Sequence, residues 1–190
     1  MTPQGEIKNI FLVGFMGTGK TSIGKLLAKK LNWSYIDTDT LIEQYNESSI
    51  KNIFAKEGEP KFREIETAIL QKVLSKNNQV ISTGGGIVLK DQNMKLMKQN
   101  GIIICLTTSP AIILKRTQSK SHRPVLGDKP TLAKIVNILH QRAPYYAQAD
   151  LTLDTSYASK KEIIEKIVAD LKLVPENTSR GSNLGKQGRG

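Results

Sequence analysis

The chain has 190 residues, 38% of them hydrophobic, which suits one domain with a well-buried core. It contains no run of about 18 apolar residues and no charged-then-apolar leader, which disfavours a membrane or secreted protein, so we expect a cytoplasmic one. The formal net charge of +11 fits either a nucleic-acid binder or an enzyme with anionic substrates, and the scattered lysines, without interleaved aromatic residues, favour the enzyme.

Hydrophobic periodicity predicts strands and helices in alternation along the chain. The predicted strands cover residues 8–13, 33–36, 79–82, 102–106 and 150–154. The predicted helices cover 19–31, about 39–46 and 49–56, a helix that Pro60 opens, and about 91–99, 109–118, 130–147 and 158–172. Five short strands separated by helices indicate an open α/β sheet of parallel strands, whose ligands lie at the carboxyl ends of the strands. We expect a single domain over residues 1–174 and a flexible basic tail over 175–190.

The segment from Gly14 to Thr21 fits the phosphate-binding pattern G-x-x-x-x-G-K-[ST], between a predicted strand and a predicted helix. Its backbone N–H groups and the helix N-terminus suit a nucleotide triphosphate, which predicts ATP or a similar ligand. Lys20 would reach the β- and γ-phosphates, and the Thr21 hydroxyl would bind the Mg²⁺ that the nucleotide carries. The predicted nucleotide-binding residues here are Gly14, Gly17, Thr18, Gly19, Lys20, Thr21 and Ser22.

Two carboxylates, Asp37 and Asp39, follow the second strand at the predicted ligand edge. Helix capping explains one aspartate at this point but does not require two. The third strand ends without the aspartate that often helps to hold Mg²⁺ in phosphate-loop proteins. We therefore predict that Asp37 serves the metal, directly or through water, and that Asp39 accepts a hydroxyl proton from the phosphate acceptor.

Further residues suit an anionic, hydroxylated acceptor. Arg63 could bind a carboxylate with its forked guanidinium, although a surface ion pair with Glu59 or Glu66 is an alternative. The glycines 84–86 follow the third strand and expose backbone N–H groups, or form only a tight turn. For Arg142 the spacing alone indicates no function.

The stretch 116–130 is polar, basic and bounded by helices, which predicts a mobile lid over the nucleotide. Such a lid excludes water and could bring Arg123 to the transferring phosphoryl group. An ordinary surface loop is the alternative.

Together these motifs resemble the shikimate kinase family over residues about 8–172. The resemblance is carried by the phosphate-binding loop, the Asp37-Thr38-Asp39 pair, and the motifs Gly58-Glu59, Phe62-Arg63, Glu66, Ser82 to Gly86, Arg116-Thr117, Arg123 to Leu126, and Arg142 with Tyr145-Tyr146. It implies a three-layer P-loop NTPase-like fold and ATP-dependent phosphorylation of the 3-hydroxyl of shikimate in aromatic amino-acid biosynthesis. On the substrate side, the resemblance implies that Asp39 binds the ring hydroxyls and accepts the proton, and that the substrate carboxylate is bound by Arg63, Arg142 and the segment Gly84, Gly85 and Gly86. On the nucleotide side, it implies that Thr21 and Asp37 bind Mg²⁺ and that Arg116 lies against the adenine. Lys20 and Arg123 would then bind the phosphates.

Two other functions remain possible from the residues. One is another small-molecule kinase on the same scaffold, such as a gluconate or nucleoside-monophosphate kinase. The other is a nucleotide switch or nucleic-acid-dependent ATPase, which the charge suggests but which lacks a guanine-reading Asn-Lys-x-Asp motif. The expected partners are shikimate and ATP, with no membrane and no specific nucleic acid, and the expected state is a monomer.

Overall fold

A computed structural model describes residues 7–118 and 130–173. It contains a five-stranded parallel sheet in the order β2-β3-β1-β4-β5. The strands are β1 Asn9–Val13, β2 Ser34–Asp37, β3 Gln79–Ser82, β4 Ile102–Thr107 and β5 Leu151–Asp154. The predicted α/β class and parallel sheet are confirmed.

Helices connect the strands, as a parallel sheet requires. They are α1 Lys20–Leu31, α2 Thr38–Asn46, α3 Ile50–Val73, α4 Asp91–Asn100, α5 Pro110–Thr117, α6 Leu132–Tyr146 and α7 Lys160–Asp170, with a short 3-10 helix at Ile87–Leu89. Within the described residues, no helix has the length and apolar character that crossing a membrane requires.

The central strand β1 is buried on both faces, and its alternate side chains separate two cores. Ile10 and Leu12 pack with apolar residues of α1 and α7. Phe11 and Val13 pack in a second core that includes Leu70 of α3. Helices on both faces of the sheet thus form three layers, and the loop that follows β1 is anchored from both sides.

Helix α3 contains a break at Gly58, whose φ of 79° and ψ of 174° are not helical. The sequence predicts two helices here, one over about 49–56 and one that Pro60 opens, and the break separates the same two segments. Glycine is favoured at this positive φ because it has no Cβ to clash with the backbone. The second segment carries Arg63 and Glu66 toward the carboxyl end of the sheet.

Candidate active site

The phosphate-binding loop joins β1 to α1 and has the backbone shape of an anion cradle. Gly14, Gly17 and Gly19 all have positive φ, between 83° and 130°. A Cβ at Gly14 would collide with the backbone of Leu106 on β4, so that position requires glycine. Gly19 precedes α1, and among the described residues no side chain caps the first amides of this helix. Those amides can therefore bind phosphate.

Hydrogen bonds from three directions hold the loop. The Lys20 Nζ donates to the carbonyls of Gly14 and Phe15, at 2.8 and 3.0 Å. Arg116 of α5 donates through Nη1 to the Gly17 carbonyl at 2.8 Å. The Thr155 hydroxyl, just after β5, donates to the Thr18 carbonyl at 2.9 Å. The ammonium and the loop are thus oriented by protein contacts.

Asp37 ends β2 and contacts both the next helix and the phosphate-binding loop. Its Oδ1 accepts hydrogen bonds from the amides of Asp39 and Thr40, at 3.1 and 3.3 Å, which caps α2. Its Oδ2 accepts from the Thr21 hydroxyl at 3.3 Å and from the Tyr35 hydroxyl at 3.0 Å. One carboxylate therefore both caps α2 and accepts from the Thr21 hydroxyl. Burial and the Asp37 charge raise the pKa of Tyr35 to about 12, so the phenol stays a donor.

The oxygens of Thr21 and Asp37 are of the kind that Mg²⁺ prefers. Within residues 7–118 and 130–173 there is no group of three or more His, Cys, Asp or Glu side chains that could hold a metal by itself. A metal here would depend on phosphate oxygens and water for its other ligands, which fits a Mg²⁺ that arrives with a nucleotide.

Arg63 on α3 lies between two carboxylates. Its Nη2 is 2.8 Å from Glu59 Oε1 and its Nη1 is 2.9 Å from Glu66 Oε2. The ion pairs that the sequence offers as an alternative for this arginine are therefore present. The guanidinium also lies against Gly86, where a Cβ would be 2.6 Å from Arg63 Cζ, so the arginine still faces the cavity.

Glu66 is fully buried, and in the part of the chain that the structure describes only one of its oxygens is paired. Its Oε2 accepts from Arg63, whereas Oε1 has no hydrogen-bond partner among the described residues. Burial raises the pKa of this carboxyl to about 7, and Asp39 raises it further, while Arg63 and Arg142 oppose the rise. A Cβ at Gly84 would lie 2.8 Å from both Glu66 Oε1 and Asp39 Oδ1, so these two oxygens approach the same point.

Arg142 projects from α6 and is 6% exposed. Its Nη1 donates to the Gly85 carbonyl at 3.0 Å, and the Tyr146 hydroxyl donates to the same oxygen at 2.6 Å. Within the described part of the chain, Arg142 forms no ion pair with a carboxylate within 4.0 Å. A buried guanidinium in this state favours an anion in the adjoining space.

Most of these groups line one cavity of about 1130 Å³ at the carboxyl end of the sheet. The predicted residues that line it are Gly17, Thr18, Gly19, Lys20, Thr21, Ser22, Asp37, Asp39, Arg63, Gly84, Gly85, Gly86, Arg116 and Arg142. Gly14 does not line the cavity and instead supports the loop against β4. Arg123 and most of the predicted lid, residues 119–129, lie outside the described residues, as does the predicted tail.

The family model for shikimate kinase matches residues 16–172. The chain belongs to the shikimate kinase family. The shikimate kinase of Thermodesulfovibrio yellowstonii is 44% identical over 164 residues, which are 86% of this chain and 95% of that protein. The structure of shikimate kinase from Acinetobacter baumannii in complex with shikimate has a TM-score of 0.83 and 35% identity, covering 88% of this chain and 94% of that one. The shikimate kinase of Aquifex aeolicus has a TM-score of 0.73 at 30% identity and covers 86% and 96% of the two chains.

Sequence reasoning missed some residues of this shikimate kinase site. Glu66 belongs to a matched motif, yet its burial beside Asp39 is not visible in the sequence, where glutamate usually indicates a solvated helix face. Thr155 lines the cavity and supports the loop through a contact that spans most of the chain. Tyr35 contacts Asp37 from two residues away, a spacing that places both side chains on one face of a strand. That spacing was the one available signal.

Proposed function

We propose that this member of the shikimate kinase family transfers the γ-phosphoryl group of ATP to the 3-hydroxyl of shikimate, giving shikimate 3-phosphate and ADP. The observation that carries the proposal is that Asp39, Arg63 and Arg142 line the same cavity as the phosphate-binding loop. Nucleotide and acceptor can therefore meet within one cavity, as an in-line phosphoryl transfer requires.

The acceptor end of the cavity suits a small hydroxy acid. Arg142 supplies a buried guanidinium that donates to the neutral carbonyl of Gly85, and Arg63 lies across the Gly84 to Gly86 turn from it. Guanidinium groups bind carboxylates with two parallel hydrogen bonds, which fixes the orientation as well as the charge of the acceptor. Arg63 and Arg142 are assigned to the shikimate carboxylate.

Asp39 is assigned to the acceptor hydroxyl. Its carboxylate lies close to Gly84 and Glu66 and lines the same cavity as the phosphate-binding loop. In this position it can hold the hydroxyl and accept its proton as the bond to phosphorus forms. Lys20, at the base of the loop, stabilises the charge that develops on the transferring phosphoryl group. Arg123 is assigned to the same charge on the sequence resemblance alone.

Thr21 and Asp37 are the residues that would hold Mg²⁺, with Thr21 as the direct ligand. When bound, the ion neutralises charge on the β- and γ-phosphates of ATP. The Thr21 hydroxyl has lone pairs available for a metal while its proton is donated to Asp37. Asp37 therefore orients the ligand and adds negative charge near the ion.

The remaining predictions concern the whole molecule. A cytoplasmic monomer, one domain over residues 1–174, a lid over about 116–130 and a basic tail over 175–190 follow from composition and from the resemblance. Light scattering during gel filtration measures the oligomeric state of the full chain.

The test of the function is ADP release from ATP with shikimate, with gluconate, and with a set of nucleoside monophosphates as acceptors. We expect shikimate to be the preferred acceptor. If ADP release were faster with gluconate or a nucleoside monophosphate, that compound and not shikimate would be the preferred acceptor. ATP hydrolysis stimulated by RNA, with no stimulation by shikimate, would contradict a metabolic kinase.

The Asp39→Asn variant tests the proposed base in the same assay. We expect shikimate-dependent turnover to fall by about a hundredfold or more, the usual range for loss of a general base. ADP binding by calorimetry and the melting temperature should stay close to those of the unchanged protein. Asp91→Asn, in the exposed first turn of α4, is the matched control and should leave turnover unchanged. Near-normal turnover of the Asp39 variant would refute its role as base.

A further inference from the structure

Tyr35 is a side chain that the proposed reaction does not explain. It lies on β2 two residues before Asp37, and its hydroxyl donates to Asp37 Oδ2 at 3.0 Å. Its ring packs against α1 at Gly24, where a Cβ would be only 2.8 Å from Tyr35 Cε2. The small residue at 24 thus makes room for an aromatic ring whose hydroxyl reaches Asp37. Asp37 and Thr21, the residues assigned to Mg²⁺, are called here the metal end of the nucleotide site.

The hydrogen bonds of Asp37 indicate what this contact achieves. A carboxylate accepts about four hydrogen bonds, two on each oxygen. Oδ1 receives the amides of Asp39 and Thr40, and Oδ2 receives the hydroxyls of Tyr35 and Thr21. Donors from α1, β2 and α2 therefore fill the acceptor positions of Asp37 and hold it in one orientation.

The orientation of Asp37 in turn determines that of Thr21. A threonine hydroxyl has a single proton, and in this structure that proton is donated to Asp37 Oδ2. Its lone pairs then point away from the carboxylate, and Thr21 lines the cavity beside Lys20. A metal that accompanies the nucleotide meets an oxygen whose lone pairs are already available.

We propose that Tyr35 is a positioning residue for the metal end of the nucleotide site: it holds Asp37, which fixes the Thr21 hydroxyl toward Mg²⁺. Groups that orient metal ligands commonly change metal affinity by about 10- to 100-fold when they are removed. The inference depends on the proposed function only in that the nucleotide binds as its magnesium complex. It requires no acceptor.

The test is ADP binding by calorimetry, with excess Mg²⁺ and with EDTA, in the absence of any acceptor. Tyr35→Phe keeps the ring against Gly24 and removes only the hydroxyl. We expect the magnesium-dependent gain in ADP affinity to fall about tenfold, and the affinity measured in EDTA to change less than about twofold. Tyr45→Phe, an exposed tyrosine on α2, is the control and should alter neither affinity.

A second background distinguishes orientation from packing. In Asp37→Asn protein, adding Tyr35→Phe should cause no further loss of the magnesium-dependent gain, because both changes act through one carboxylate. Tyr35→Leu, which also removes the ring, should show the same metal defect together with a lower melting temperature. Equal loss of ADP affinity with and without Mg²⁺ would make Tyr35 a packing residue and overturn the proposal, as would an unchanged magnesium-dependent gain.

Because shikimate is absent from these measurements, their failure leaves the proposed reaction untouched. Failure of the acceptor screen, in turn, leaves the assignment of Tyr35 to the metal end intact.

Discussion

The two ends of the cavity are built in different ways. The nucleotide end comes mainly from one continuous segment, residues 14–22, with Asp37 and Arg116 added from elsewhere in the chain, and much of that segment's contribution is backbone amides and carbonyls. The acceptor end comes from three helices and one turn, and its functional groups are charged side chains: Asp39 of α2, Arg63 and Glu66 of α3, and Arg142 of α6. A site made of backbone depends on loop geometry, whereas a site made of side chains depends on how its charges are balanced.

That balance is uneven at the acceptor end. Arg63 has two carboxylate partners, and one of them, Glu66, is fully buried with an oxygen that has no hydrogen-bond partner within residues 7–118 and 130–173. Arg142 donates to the Gly85 carbonyl, and its Cζ lies 5.8 Å from the centroid of the Phe15 ring. An anionic acceptor would complete this arrangement by supplying the negative charge that faces Arg142. At the nucleotide end, the Lys20 ammonium donates to the backbone carbonyls of Gly14 and Phe15.

The largest expected effect comes from the nucleotide end. Lys20→Met removes the ammonium that donates to the loop carbonyls and that we assign to the transferring phosphoryl group, and we expect ADP release to fall by at least about a hundredfold with every acceptor. Steady-state ADP release measures this. The control is Lys29→Met, an exposed lysine in the last turn of α1. If the Lys20 variant kept more than about a tenth of the turnover, a group other than Lys20 would have to stabilise the charge on the transferring phosphoryl group.

A smaller and more selective effect is expected from the acceptor end. Arg63→Ala should raise the KM for shikimate about 10- to 100-fold, the range for loss of charged hydrogen bonds, while the KM for ATP changes little. Arg63→Lys keeps the charge but loses the forked guanidinium. Its KM for shikimate should therefore lie between the values of the unchanged protein and of Arg63→Ala.

Lys61→Ala is the matched control for Arg63, since Lys61 lies on the same helix and its ion pair with Glu64 is exposed, with side chains 52% and 64% accessible. Unchanged shikimate kinetics in Arg63→Ala would remove this arginine from the acceptor site. An equal rise in the KM for shikimate and the KM for ATP would show that Arg63 affects both ends of the cavity and is not specific to the acceptor end.

The smallest expected effect is a pH dependence of stability that originates at Glu66. Burial raises the folded-state pKa of this carboxyl from 4.5 to about 7, so the folded protein binds a proton that the unfolded chain has released. The contribution of Glu66 to stability is therefore greatest below about pH 4.5, declines as pH rises toward 7, and is constant above that.

Glu66→Gln removes this titration. Between pH 5 and 7 we expect the melting temperature of the variant to rise relative to that of the unchanged protein, by on the order of 5 °C in total. Thermal unfolding at half-unit pH steps measures the difference, and Glu64→Gln, exposed on the same helix, should show none. If the melting temperatures of the Glu66 variant and the unchanged protein changed with pH in parallel, Arg63 would keep the Glu66 carboxyl ionised over the whole range from pH 5 to 7.

The two ends also differ in how well the sequence predicts them. The phosphate-binding loop can be predicted from the sequence because its glycines, lysine and threonine lie in one short segment, and local geometry explains why each residue type is needed there. For Arg63 the sequence left an ion pair and a ligand contact as alternatives, and the structure shows the ion pairs on a guanidinium that also lines the cavity. For Asp37, capping and proximity to Thr21 proved compatible because the two oxygens face different neighbours.

The sequence by itself determined the alternation of strands and helices, the cradle after β1 and the break near Gly58, because periodicity, turn residues and backbone conformation act over a few residues. Only the tertiary structure decided that Glu66 is buried beside Asp39, that Arg142 contacts the Gly85 carbonyl 57 residues away, and that Tyr35 contacts Asp37. These contacts depend on the order of strands in the sheet and on side-chain direction, and burial then sets the charge state of each group.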